Sequence, residues 1–347
     1  MKKITVFLIT ILILLGIFIY SFSLINLFKF KTANVILENK KDINLYLKWL
    51  NQAQFAGNYV AKENKYYEDA GLNVNIIPFD MTNSPINRVI DDKDISFGIT
   101  GSDQLILARN EGAKIKAIAV IYKTSPSCIY SLKNKNIITP KDLIGKTVGI
   151  EKGTNIETGY YLMLKKLKIN QSLINEKIIG YDAKEVLDGS VDASMGYIIN
   201  EPYEIINQGK EINSILLSDY GVDIYADVIF TTEENIKNNP EIINKFLSST
   251  IKGWEYAINY PEDATEKVLL YSSTKNKVKE RYMLEKSMPL IYNGISPIGW
   301  MDKQKWIKTQ ETLMELNSID NIEEINNYYT NEFIEKIYQG KNNENLS

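Results

Sequence analysis

The chain has 347 residues, a net charge of −3 and an apolar fraction of 44%, which is enough apolar material to bury one or two α/β lobes. Its 40 Lys+Arg and 43 Asp+Glu are interspersed along the whole length, without the basic stripe that nucleic-acid binding requires. It has no histidine and a single cysteine, Cys128, so Ser-His-Asp triads, Cys-His dyads, the common zinc and non-haem iron sites and an internal disulfide are all excluded.

Met1-Lys2-Lys3 precedes an almost unbroken apolar run from Ile4 to Tyr20 that continues weakly to Phe28. A basic start followed by an apolar stretch is an export signal, and roughly 20 apolar residues also suffice to span a bilayer. Cleaved signal and uncleaved anchor both stay open over residues 1–28. Cys128 lies too far along the chain to carry an N-terminal lipid. Residues 29–41 read as a polar linker, and the chain beyond residue 41 is expected outside the cytoplasm.

From Ile43 the pattern has period two, with Ile43, Leu45, Leu47 and Trp49 on one face of a strand. A helix is predicted from Gln54 to Glu68, stopped by Gly71, and Leu72, Val74 and Ile76 form the next strand. Ile95–Thr100 is a strand, Ser102 or Asp103 caps a helix running to Glu111, Gly112 ends it, and Ile115–Tyr122 is a strand. Further strands are read at Lys146–Ile150, Lys177–Ile179, Ile212–Leu217 and Tyr225–Thr231, mostly separated by helices, which predicts largely parallel sheets. After Pro240 the chain turns to longer amphipathic helices, Glu241–Asn259, Glu262–Ser272 and Asp302–Leu316 among them, with Pro240 and Pro261 at helix starts.

The segment Trp49 to Ala61, with Tyr66 to Val74, resembles the opening of transporter-associated binding proteins for thiamine pyrimidine precursors. The wider family includes sulfonate and nitrate binders. The likeness continues through Asp94 to Gly98, Lys141 to Gly149, Val191 to Ala193, Tyr197 to Tyr203 and Tyr225 to Val228. It implies an α/β fold of the two-lobed type II periplasmic binding protein class with a hinge, preceded here by the signal or anchor helix. The lobes are expected over residues 42–131 with 230–340, and over 132–229. The related fungal-type pyrimidine synthases use a histidine as substrate and a cysteine-rich motif, neither of which this chain has.

Trp49 suits either a core position or a stacking face for a heteroaromatic ring, and its place at a strand's carboxyl end, where small ligands bind in open α/β sheets, favours the second. Phe55 and Tyr59 are candidates for an opposite wall, with Asn51 and Gln54 beside them. Gly101-Ser102-Asp103 and Gly153-Thr154-Asn155 place small polar residues at presumed helix starts, where they either cap the helix or donate to a ligand oxygen. Asn200-Glu201-Pro202 sets an acceptor-only carboxylate where an exocyclic amine or protonated ring nitrogen would fit; in the resembling pyrimidine binders Glu201 is the expected amine-recognising group. Tyr197 and Asp227 complete the candidate ligand-binding set, and Asp192 is a weaker candidate.

These features lead to the expectation of a non-enzymatic, extracytoplasmic solute-binding protein without metal or cofactor. It would capture an aminopyrimidine thiamine precursor and deliver it to an ABC permease. A sulfonate or another small solute is an alternative ligand. A membrane-anchored sensing module acting through a signalling partner is the alternative from a different functional class.

Overall fold

The computed structural model of the protein describes residues 40–292 and 294–344, together with residues 20, 21 and 23. Apart from those three positions, the signal or anchor expected over residues 1–28 lies outside the described residues, as does the linker up to residue 39. Among the described residues no helix is long and apolar enough to cross a membrane.

Among the described residues ten strands are arranged in two five-stranded sheets. In chain order they are β1 (Lys41–Tyr46), β2 (Leu72–Ile77), β3 (Ser96–Thr100), β4 (Ile115–Tyr122), β5 (Ser127–Leu132), β6 (Thr147–Ile150), β7 (Asn175–Ile178), β8 (Ala193–Tyr197), β9 (Ile212–Leu216) and β10 (Asp227–Thr232). The first sheet has the order β2-β1-β3-β10-β4 and the second β7-β6-β8-β5-β9. In the first, β1 is parallel to β2 and β3, while β10 is antiparallel to both β3 and β4. The second repeats this scheme, with β6 parallel to β7 and β8, and β5 antiparallel to β8 and β9.

Each sheet therefore has four strands running one way and one reversed strand, which makes both mixed where the sequence predicts largely parallel ones. The departure has a simple cause. Helical crossovers between successive strands enforce parallel pairing, but residues 123–126 between β4 and β5 are too few for a crossover. The chain uses that short link, and the segment before β10, to change sheets. In each sheet the reversed strand is the first one after such a change.

Many of the expected elements lie close to their predicted places. Gly71 and Gly112 close their helices at φ +78° and +101°, a backbone state that glycine adopts without a Cβ penalty. Pro240 and Pro261 are the first residues of the helices Pro240–Asn259 and Pro261–Tyr271. The helix expected from Gln54 to Glu68 is instead three pieces: a short 3-10 turn at Ala53–Phe55, a helix at Ala56–Glu63 and a single turn at Tyr66–Asp69. Lys65, at φ 61°, separates the last two. Asn64 precedes it, and asparagine's tendency to bond nearby backbone favours a helix end over a helix interior.

β5 and β8 have no counterpart among the strands read from the sequence. Ala193–Tyr197 is buried throughout, so its Ala-Ser-Met-Gly-Tyr sequence carries no alternation to read.

The first sheet is covered by the helices Ala56–Glu63 and Pro240–Asn259, which cross at two glycines. A Cβ on Gly57 would fall 2.2 Å from the Trp254 ring, and one on Gly253 would fall 2.1 Å from the Gly57 carbonyl oxygen. The close approach lets Trp254 fill the space beneath, where it is 1% exposed. Gly253→Ala should lower stability by about 1–3 kcal/mol, the usual cost of overpacking. Gly340→Ala, where a Cβ meets nothing within 4 Å, should be neutral or raise stability by up to about 1 kcal/mol. Urea unfolding midpoints of the two variants check this; equal midpoints would mean that the crossing has room for a methyl group.

Candidate ligand-binding site

A cavity of about 700 Å³ is lined by residues of both sheets. Its walls are segments that leave the carboxyl ends of parallel strands: Lys48 and Trp49 after β1, Phe79 and Met81 after β2, Gly101 after β3, Glu151 and Gly153 to Ile156 after β6, and Asn200 and Glu201 after β8. In open α/β sheets the carboxyl ends of parallel strands are where loops diverge and leave room for a ligand. The helices Pro85–Asp91 and Ser102–Asn110 add an apolar side containing Pro85, Ile86, Leu107 and Ala108.

The aromatic wall forms across the cleft. β1 ends at Tyr46, and Trp49 lies beyond the ladder, half-buried, with its carbonyl accepting from the Phe79 N–H at 3.1 Å. Tyr181, from the segment after β7, meets the indole edge-on, with ring centroids 5.0 Å apart and planes at 85°. Two aromatic rings from opposite sheets thus meet at one side of the cavity.

Lys48 joins the sheets at the base of this wall. Its ammonium donates to the Tyr197 hydroxyl at 2.9 Å and the Ala226 carbonyl at 2.7 Å, and pairs with Asp227 at 3.0 Å. Burial acts to lower the lysine pKa, but the Asp227 and Tyr197 charges outweigh it and hold the group protonated. Gln54 supplies a further donor to Asp227 at 2.9 Å. Asn155 donates to the Tyr197 hydroxyl at 3.0 Å.

At the other polar end, Glu151 and Glu201 are 2% and 5% exposed and both line the cavity. Glu201 begins a helix immediately after Asn200. Its carboxylate accepts from the Tyr197 backbone N–H at 2.7 Å and from the Asn200 side-chain amide. Gly196 is required beside it, because a Cβ there would come within 2.8 Å of Glu201 Oε2. Glu151 Oε1 and Asn200 Oδ1 have no hydrogen-bond partner among the described residues. Burial pushes the Glu151 carboxyl up, and the charges of Glu201 and Asp182 push it further. Burial also raises Glu201, against the pull of the Tyr197 N–H and other donors. Two buried carboxyls that feel each other's charge favour a state in which one of them stays protonated.

Of the residues singled out from the sequence, Trp49, Gln54, Gly101, Thr154, Asn155, Tyr197, Asn200 and Glu201 are brought together around the cavity. The others sit elsewhere. Tyr59 is fully buried, stacks on Tyr271 with centroids 4.4 Å apart and donates to Asn51 at 2.9 Å, so it packs between helices and forms no wall of the cleft. Phe55 is 1% exposed in the same core. Ser102 caps nothing: the helix N-cap is Gly101, and Ser102 Oγ accepts from the Tyr225 N–H at 3.2 Å. Asp103 is wholly buried, with one oxygen taken by Gln104 and the other unpartnered among the described residues. Asp227 acts through Lys48, and Asp192 through Lys135 and the Thr147 N–H. Thr154 does cap its helix, accepting from the Glu157 N–H at 3.3 Å.

Sequence reasoning missed Lys48, Gln52, Glu151 and Tyr181 as cavity residues. Glu151 was within reach of the reasoning applied to Trp49, since it directly follows the apolar end of β6. Among the described residues no cluster of His, Cys, Asp or Glu suited to a metal ion is found.

The family described as "NMT1/THI5 like" matches residues 52–264. The riboflavin-binding protein RibY of Chloroflexus aurantiacus is 24% identical over 306 residues, covering 85% of this chain and 86% of that protein. The formylaminopyrimidine-binding protein of Halalkalibacterium halodurans is 24% identical over 294 residues, 83% and 88% of the two chains. Among solved structures, the periplasmic aliphatic sulphonate binding protein SsuA from Escherichia coli superposes with a TM-score of 0.65 at 15% identity, over 83% of this chain and 91% of that one.

The raised carboxyls bear on stability. A carboxyl whose folded pKa exceeds its unfolded value contributes fully below the ordinary carboxylate range and loses that contribution as pH rises through the folded value. Stability of the free protein should therefore fall from about pH 5 to pH 8, by up to about 1.4 kcal/mol per unit for each proton retained. Glu151→Gln should flatten that slope. Denaturant titrations of both proteins across this range decide it, and parallel slopes would mean that Glu151 is ionised in the free protein.

Proposed function

The chain belongs to the NMT1/THI5-like family, and from that premise we propose that it is an extracytoplasmic solute-binding protein that captures a small heteroaromatic ligand without transforming it. The observation that carries this reading is a cavity bordered by the edge-to-face pair of Trp49 from one sheet and Tyr181 from the other, with the Glu201 carboxyl also in its lining. A planar ring can pack against this aromatic pair, and a carboxylate in the same lining suits an amino substituent. An aminopyrimidine has both features, and one relative is named for binding such a compound.

In this reading the lobes follow the two sheets, residues 41–122 with 227–340 forming one and residues 127–226 the other, so the boundaries expected at 131/132 and 229/230 move by a few residues to keep β5 and β10 whole. They close around the ligand by bending at the two links between the sheets, residues 123–126 and the segment before β10. The closed form is what an ABC permease would recognise. The basic and apolar N-terminus, Met1 to Phe28, would carry the domain across the membrane or hold it there.

A non-enzymatic role agrees with the chemistry available. The chain has no histidine, and its only thiol, Cys128, is buried, with a pKa pushed well above its ordinary value by burial and neighbouring carboxylates. Among the described residues no histidine or thiol faces the cavity.

The size of the cavity supports a second ligand of the same class. About 700 Å³ lies in the range of sites for drug-sized ligands. A fused three-ring system such as a flavin would extend from the Trp49 wall over the apolar side formed by Ile86 and Leu107. One relative is named for riboflavin binding.

Thermal-shift screening with riboflavin, an aminopyrimidine and an alkanesulfonate should give a shift with a heteroaromatic. A ligand at a hundred times its Kd adds about 2.7 kcal/mol of stability. A shift with the sulfonate alone would overturn the assignment, as would mass-spectrometric evidence that a bound ring is converted to product.

In calorimetric titrations Trp49→Ala should weaken every planar ligand, because stacking adds about 0.5–1.5 kcal/mol beyond area burial. Glu201→Gln should act chiefly on amino-substituted rings, by about tenfold or more relative to the des-amino analogue. Equal weakening of both analogues by Glu201→Gln would mean that the carboxylate does not read the amine.

A further inference from the structure

The acidic end of the cavity is unusual in what it lacks. Glu151 Oε1 and Asn200 Oδ1 are buried acceptors without a partner among the described residues, in side chains 2% and 8% exposed. Glu201, 5% exposed, accepts from the Tyr197 N–H at the end of β8 and from the Asn200 side-chain amide. Lys48 is the one cationic side chain lining the cavity among the described residues, and its ammonium is occupied by Asp227, Tyr197 and Ala226. Lys279, whose charge reaches Glu201, is paired with Glu204 at 3.2 Å. The remaining groups that face the Glu151 carboxyl electrostatically are Asp182, Tyr130 and Cys128, and none brings a positive charge.

Unsatisfied buried acceptors are costly, and so is ionising two buried carboxyls that feel each other's charge. A bound group that donates several N–H bonds and carries a positive charge removes both penalties at once. An ammonium has three donors and an amidinium edge two parallel ones, either of which matches the oxygens present.

We infer that Glu151, with Asn200 and Glu201, forms a subsite for a cationic N–H group of the ligand, and that Glu151 selects for its charge. This rests on the solute-binding reading above and adds to it a residue and a charge state. Binding would draw the Glu151 carboxyl into its ionised form, so a proton leaves the protein as the cation enters. Affinity for a permanently protonated amine therefore rises with pH over the range in which free Glu151 holds its proton.

Two probes separate the possibilities: an aminopyrimidine bearing a free aminomethyl arm, an ammonium at neutral pH, and its N-formyl derivative, in which that charge is gone. Calorimetric titration of the intact protein in buffers of differing ionisation enthalpy gives affinity and proton release together. The ammonium probe should bind at least tenfold more tightly, with release of a proton. Glu151→Gln should abolish both the preference and the release. The release is read on the unmodified protein, so the subsite can be refuted even if the variant folds poorly. Equal affinity for the two probes, or a preference that survives Glu151→Gln, overturns the subsite and leaves the solute-binding reading standing. Failure of both probes to bind overturns the subsite and the pyrimidine reading together.

Discussion

The buried pair of Lys48 and Asp227 is the constraint around which the cleft is organised. The two side chains are only 13% and 2% exposed, and a charge so placed is tolerated only when its partners are close and complete. Lys48 follows β1, Asp227 opens β10 and Tyr197 ends β8, so satisfying one ammonium fixes the ends of strands from both sheets. Asp227 also holds Gln54, and Tyr197 also holds Asn155. One ion pair thereby sets the spacing of the aromatic and acidic portions of the cavity. It also explains the chemical bias of the site, since the cation that could have offset Glu151 and Glu201 is already committed.

The parts of this arrangement that were legible in the sequence share a local cause. Trp49, Asn155 and Glu201 follow strands or open helices, and such positions can be recognised from a few neighbouring residues. The short link between β4 and β5 was not read as a change of sheet, because nothing in Lys123-Thr-Ser-Pro126 distinguishes it from a turn within one sheet. Tyr59 shows a second limit. Its position on an amphipathic helix leaves two faces open, and the partner that decides between them, Tyr271, is some two hundred residues away. Ser102 shows a third: its ordinary preference for a helix cap gives way to the backbone of Tyr225, again a distant segment. Long-range partners, rather than intrinsic propensities, decide each of these cases.

In the proposed reading the two ends of the cavity divide the work of recognition. The aromatic and apolar surfaces gain from removing a ligand's hydrocarbon area from water, a force without direction. The carboxyl groups and Asn200 supply direction, because an acceptor facing the wrong substituent loses its hydration without gaining a bond. Ligands that share a flat ring can therefore share the fold, while the polar substituents they carry set them apart. This fits a family whose relatives are named for compounds as different in size as a pyrimidine and a flavin.

The placement of β10 also governs the time course of folding. Thr100 of β3 is paired with Val228 of β10, and every residue of the second sheet lies between them in the chain. Closing a loop of that length is slow compared with forming local helices and hairpins. The second sheet is assembled from an uninterrupted stretch, β5 to β9, and meets no such delay. During synthesis from the N-terminus, β1 to β4 must wait, with an unpaired edge on β3, until the whole of the second sheet has emerged. The sheet that begins first is the one completed last.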